Sequence, residues 1–142
     1  MAAAIVFALD RLTKFWVTHS LFLGQELWPG APVHIHYIEN TGAAFSILPN
    51  VDWLFLLVAG VVVVAALWYW RQLAREAWWV QAAVGMVVGG ALSNAIDRFT
   101  QGYVVDFIQL PHWPVFNVAD SGITVGMVLI VLRFLLQSRR DG

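Results

Sequence analysis

No cysteine occurs anywhere in the 142 residues. Its absence rules out disulfides, thiolate metal sites and a cysteine nucleophile at once. Charge is almost as scarce, at 12% of residues against 60% apolar, where a soluble domain carries about a quarter charged. A soluble chain this short has too little interior to hide that much apolar surface, so lipid is the simpler solvent for it. Basic excess is also missing. The formal net charge is −1, which gives no electrostatic footprint for nucleic acid. The opening MAAAIVFAL has no basic residue before its apolar run, and Asp10, Arg11 and Lys14 follow at once. That pattern fits a retained helix better than a cleaved leader. There is no internal repeat or low-complexity linker, so 1–142 is read as one membrane domain.

What the chain does have is long apolar runs. A bilayer core about 30 Å thick takes about 20 residues of helix. Val51 to Trp70 and Trp78 to Ile96 approach that length, as does Ser121 to Leu136, where Arg133 near the end can snorkel to the interface. A weaker span runs over 2–18, where Asp10 and Lys14 stand four apart and can pair on one face. The expected helices are therefore 2–18, 51–70, 78–96 and 119–136. Gly85, Gly89 and Gly90 offer close helix contact in the third. Arg71 and Arg75, and then Arg139 and Arg140, mark the cytoplasmic side. Both termini then face inward, and segments 19–50 and 97–118 lie outside. Trp28, Trp53 and Trp113 suit the outer interface; Trp68, Trp70, Trp78 and Trp79 suit the inner one. Within the outer segments, Pro32-Val-His-Ile-His-Tyr-Ile alternates like a strand, and Gly102-Tyr-Val-Val-Asp-Phe-Ile-Gln-Leu is β-branched and aromatic. Both fit a small sheet on the outer end of the bundle.

Nine acids occur. Glu76 and Asp141 fall on the cytoplasmic side, Glu26 in a polar turn, and Asp52 at a helix start where it can cap. Asp10, Asp97, Asp106 and Asp120 lie in or beside apolar segments, where ionisable groups are costly and mark function. Asp10 has Lys14 as a partner and Asp97 has the adjacent Arg98. Asp106 and Asp120 have none, since no Lys or Arg lies between Arg98 and Arg133. Two such carboxylates brought together share one proton and give one acid and one base. The loop between them, with Pro111 and Pro114, lets the chain turn back. Three rival chemistries stay open from the residues alone. A metal would have His34, His36 and His112, without H-E-x-x-H or helical ligand spacing. A serine nucleophile would be Ser46, Ser93 or Ser121, without G-x-S-x-G. Buried acids also serve proton or ion pathways.

Four blocks carry a resemblance. They are Asp10-Arg-Leu-Thr-Lys14; Asn40-Thr-Gly-Ala-Ala-Phe-Ser46; Gly89-Gly-Ala-Leu-Ser-Asn-Ala-Ile-Asp-Arg98 running on to Gly102-Tyr-Val-Val-Asp-Phe-Ile108; and Phe116-Asn-Val-Ala-Asp-Ser121. In order and spacing the chain resembles, over nearly its whole length, the lipoprotein signal peptidases (signal peptidase II). The resemblance implies a membrane all-α fold with four transmembrane helices, a small extracytoplasmic β-sheet and a short interfacial helix. It implies an aspartic endopeptidase of the bacterial inner membrane, multi-pass, working near the outer leaflet without metal or cofactor. Its substrate would be a prolipoprotein, cut just before a diacylglyceryl-modified cysteine, and globomycin-type peptides would inhibit it. The matching catalytic positions are Asp106 and Asp120. Asn40, Gly42, Asn94, Arg98, Asn117 and Ala119 match substrate-contacting or pair-supporting positions, and Asp97 is placed to direct Arg98. Asp10 and Lys14 match the family's first-helix acid and base, expected to be structural or lipid-facing. Two departures stand out. Ser93 replaces a family glycine, which puts close packing there in question. Only nine residues precede Asp10, so a short or less tilted first helix is expected.

Overall fold

The computed structural model describes residues 1–42 and 52–138. Four long helices carry the architecture: α1 (Ala2–Ser20), α2 (Asp52–Trp68), α4 (Trp78–Gln101) and α5 (Val118–Ser138), with α3 (Trp70–Leu73) a single turn after α2. A three-stranded antiparallel sheet, in the order β1 (Glu26–Leu27), β2 (His34–Asn40), β3 (Val104–Gln109), joins them. Two helices, α4 and α5, are long and apolar enough to cross a membrane; α2 is shorter but apolar over Trp53–Trp68. No short helix occurs among the described residues of the two outer segments. The rest of the Asn40–Ser46 block beyond Gly42, including Ser46, lies outside the described residues, as do the Asp52 cap, Arg139, Arg140 and Asp141.

The helices pack through small residues. A side chain at Gly89 would run into the Ala3 carbonyl oxygen, and one at Gly90 would meet the Ala119 carbonyl oxygen at 2.5 Å. At Gly126 it would meet the Ala83 carbonyl oxygen at 2.5 Å. Backbone thus lies against backbone between α1 and α4 and between α4 and α5, as expected where dispersion rather than water exclusion holds helices together. The buried residues of α1 are Val6, Asp10, Lys14 and Val17. Their spacing of three to four puts them on one stripe, so the polar pair points into the bundle and apolar side chains such as Leu9, Leu12 and Phe15 point out.

α4 continues to Gln101, one turn beyond the apolar run that ends at Ile96. Asp97 and Arg98 are therefore helical, not part of an outer loop. The helix stops at Gly102, which takes the left-handed φ of 77° and returns its N–H to the Arg98 carbonyl, a conformation glycine adopts without steric cost. The sheet sits at this end of the bundle. Val17 and Leu21 of α1 pack with Tyr37, Val105 and Phe107 in one buried cluster beneath it. β3 is buried on both faces, Val104 to Phe107 being 4% exposed or less.

Candidate active site

Asp106 faces away from the Val105 and Phe107 side of β3. In the β2–β3 register it stands opposite Ile38, with Asn40 opposite Val104. Asn40 is thus its diagonal neighbour on the same face, within reach of a side chain. The Asn40 amide donates to Asp106 Oδ2 at 2.8 Å, and its own Oδ1 accepts the Gly42 N–H at 2.9 Å. Gly42 has φ 74°, so this turn uses glycine's freedom to direct Asn40.

The chain then returns. Beyond Leu110 it doubles back so that Phe116 and Ile108 exchange backbone hydrogen bonds of 3.0 and 2.8 Å. This pins Asn117, the next residue, beside Asp106. Asn117 is also the N-cap of α5. Its Oδ1 accepts the Asp120 N–H at 2.9 Å, while Asp120 Oδ2 accepts the Asn117 N–H at 3.2 Å. This reciprocal arrangement is a capping box. Asn-x-x-Asp before an apolar run is the sequence signal for it. The box fixes Asp120 on the first turn of α5, and the remaining Asn117 amide donates to Asp106 Oδ1 at 2.7 Å. One residue therefore touches both carboxylates.

Asn94 of α4 completes the frame, donating to Asp120 Oδ1 at 2.7 Å and accepting from Asn117 at 3.2 Å. Burial pushes the Asp106 carboxyl up to about 6, and the neighbouring Asp120 charge adds to this; hydrogen bonds from Asn40 and Asn117 oppose it. Asp106 is 1% exposed, so desolvation of the charged form is the expected leading effect.

Behind the pair lies a buried charge cluster. Lys14 Nζ is 2.7 Å from Asp10 Oδ2 and 2.7 Å from Asp97 Oδ2, and Arg11 also pairs with Asp97. Asp10 is fully buried and Lys14 is 2% exposed, so neither faces lipid. Asp10 also accepts the Ala119 N–H at 2.8 Å and the Ser93 hydroxyl at 2.7 Å. Ala119 thus enters through its backbone. Ser93 fits where a glycine was expected because its hydroxyl has a partner. The cations on Asp97 come from α1, not from the adjacent Arg98; helix neighbours project about 100° apart. Arg98 instead lies over the Phe55 ring, 4.2 Å from its centroid. Arg11 is the member of this cluster that sequence adjacency could not reveal.

Asp120, Asn94 and Arg98 open onto a groove of about 420 Å³ running between α2 and α5, with Phe55, Val62 and Met127 among its apolar walls. Elsewhere, His36 bonds Gln109 and His34 bonds the Ala31 carbonyl; His112 is exposed in the return loop. Among the described residues no group of three or more His, Cys, Asp or Glu is disposed to hold a metal ion. Ser121 donates back to the Asn117 carbonyl, as a helix-start serine does.

The sequence model of the family described as Signal peptidase (SPase) II matches residues 2–136. A lipoprotein signal peptidase of Syntrophomonas wolfei is 42% identical, the alignment covering 96% of this chain and 92% of that protein. Those of Rhodococcus jostii and Nostoc punctiforme are 42% and 44% identical, covering 99% and 93% of this chain and 73% and 85% of theirs. A bacterial membrane enzyme solved by the in meso method at 2.3 Å resolution superposes with a TM-score of 0.89 at 29% identity, over 99% of this chain and 89% of that one. A second, solved the same way at 1.9 Å, gives 0.86 at 30%, over 94% and 90%.

Proposed function

The chain belongs to the signal peptidase II family, and from that premise we propose that it is an aspartic endopeptidase that removes signal peptides from prolipoproteins just before the diacylglyceryl cysteine. Membership makes it a peptide hydrolase of a bacterial membrane, acting as a lipoprotein signal peptidase. The finer reading assigns hydrolysis to Asp106 and Asp120. One observation carries it: Asn117 hydrogen-bonds both carboxylates, holding a strand acid beside a helix acid that lines an apolar groove.

In this reading the pair keeps one proton. The ionised partner takes a proton from a bound water as it attacks the scissile carbonyl. The protonated partner polarises the carbonyl oxygen and then protonates the leaving amine. The pair titrates as a unit, so the two roles belong to the pair. Asn40, Asn94 and Asn117 hold the carboxylate oxygens in place. Arg98, at the groove, contacts the substrate's carbonyl oxygens, and globomycin-type peptides block the same space. The four long helices span the inner membrane with both termini cytoplasmic and the sheet outside. Support for this comes from the apolar lengths of α4 and α5 and the inward-facing charges of α1.

The test is cleavage of a diacylglyceryl prolipoprotein in detergent by Asp106→Asn and Asp120→Asn. Each is expected to lose turnover by a factor of at least about 10³, since each removes a proton-transfer group. Near wild-type turnover in either variant overturns the pair.

A further inference from the structure

Lys14 is the only lysine in the chain, and no step of the hydrolysis above uses it. An ammonium has three donors and no acceptor. Here one goes to Asp10 and one to Asp97, at 2.7 Å each, and the third to Asn94 Oδ1 at 2.9 Å. The first two complete a charge balance: Asp10 and Asp97 against Lys14 and Arg11. The third goes to a neutral amide and plays no part in that balance.

The third contact has a different effect. The two ends of an asparagine amide have nearly the same shape, and its neighbours decide which end turns where. A group that only donates must face the oxygen. With Asn94 Oδ1 held by Lys14, its Nδ2 is turned to Asp120 Oδ1 at 2.7 Å. The same Oδ1 accepts Asn117 Nδ2 at 3.2 Å, and Asn117 Nδ2 reaches Asp106 Oδ1 at 2.7 Å. Reversing the Asn94 amide would turn an oxygen toward the Asp120 carboxylate and leave Asn117 without one of its acceptors.

We propose that Lys14 is a positioning residue for the hydrolytic pair: by holding the oxygen of Asn94 it keeps amide hydrogens directed at Asp120 and, through Asn117, at Asp106. This rests on the assignment of Asp106 and Asp120 given above. Lys14 itself touches neither carboxylate by a direct hydrogen bond; its charge favours the ionised Asp106 from a distance, and the orienting action proposed here passes through Asn94.

The experiment compares wild type, Lys14→Met, Lys14→Met with Asp97→Asn (which restores charge balance), and Val17→Ala, a core change on the same helix. Active sites are counted by binding of a non-hydrolysable diacylglyceryl lipopeptide, so misfolded protein drops out of the rate. Turnover per binding site is expected to fall on the order of 10- to 100-fold in both Lys14 variants. Lipopeptide affinity should stay within about threefold, and Val17→Ala should keep both. In an Asn94→Ala background, Lys14→Met should cost no more than about threefold further turnover, because the group it positions is gone and only the distant effect of its charge remains. Wild-type turnover per site in the charge-balanced variant overturns the proposal. So does a further loss of more than about threefold in the Asn94→Ala background, or loss of lipopeptide binding in both Lys14 variants, which would make Lys14 structural only. If wild type itself fails to cleave, the hydrolase reading falls instead.

Discussion

Asp106 is a carboxyl held in a place that disfavours its charge. Its ordinary value of 3.8 is raised to about 6, with burial the leading cause. A group whose folded value is raised lends stability at low pH and loses it as pH climbs through that value. The contribution of Asp106 is therefore full below about pH 4 and gone above about pH 6, and it amounts to at most about 3 kcal/mol. Thermal unfolding in detergent checks this. Wild type should lose stability relative to Asp106→Asn between pH 4 and pH 7, and a constant gap would contradict the burial account. The acids themselves were legible in the sequence, because carboxylates in apolar company stand out. So was the Asp10–Lys14 pair, from its spacing of four; the partners of Asp97 were not. Adjacency suggested Arg98 for Asp97, whereas α1 supplies Arg11 and Lys14 from across the bundle. No local pattern encodes which helix faces which.

Among the elements, α5 depends most on its neighbours at its start. Its first turn is held by the Asn117 and Asp120 box and by Asp10 from α1, and Gly90 lets α4 lie against the Ala119 carbonyl. Gly90→Leu forces a side chain into that contact and pushes the turn bearing Asp120 away. Overpacking of this kind costs about 1–3 kcal/mol. A lower melting temperature together with reduced turnover is expected, and unchanged turnover would show that the α4–α5 approach does not set the site. The strands at His34–Asn40 and Val104–Gln109 were visible from alternation and β-branching. The end of α4 was not. Asp97 and Arg98 counted against an apolar span, but a helix continues wherever neighbours satisfy its charges, here until Gly102. The span that lipid requires and the helix that the chain forms are different lengths.

The whole molecule turns its polar residues inward and its apolar ones outward. Large side chains such as Leu57, Val64, Trp68, Val128 and Phe134 are each more than half exposed, an arrangement lipid accepts and water does not. Composition alone made that inversion legible, since 12% charge cannot clothe a soluble surface. The inward stripe of α1 needed the fold, because its charges lower the hydropathy on which span detection depends. The groove at Asp120 is lined by residues of α2, α4 and α5, and in the function proposed above its mouth opens to the surrounding lipid. A peptide already anchored in the bilayer then meets the enzyme by diffusion in two dimensions. The relevant concentration is its mole fraction among lipids, not its molarity. Adding inert detergent or lipid at fixed amounts of enzyme and substrate should slow cleavage in proportion to that dilution, and a rate indifferent to it would mean that substrate arrives from the water.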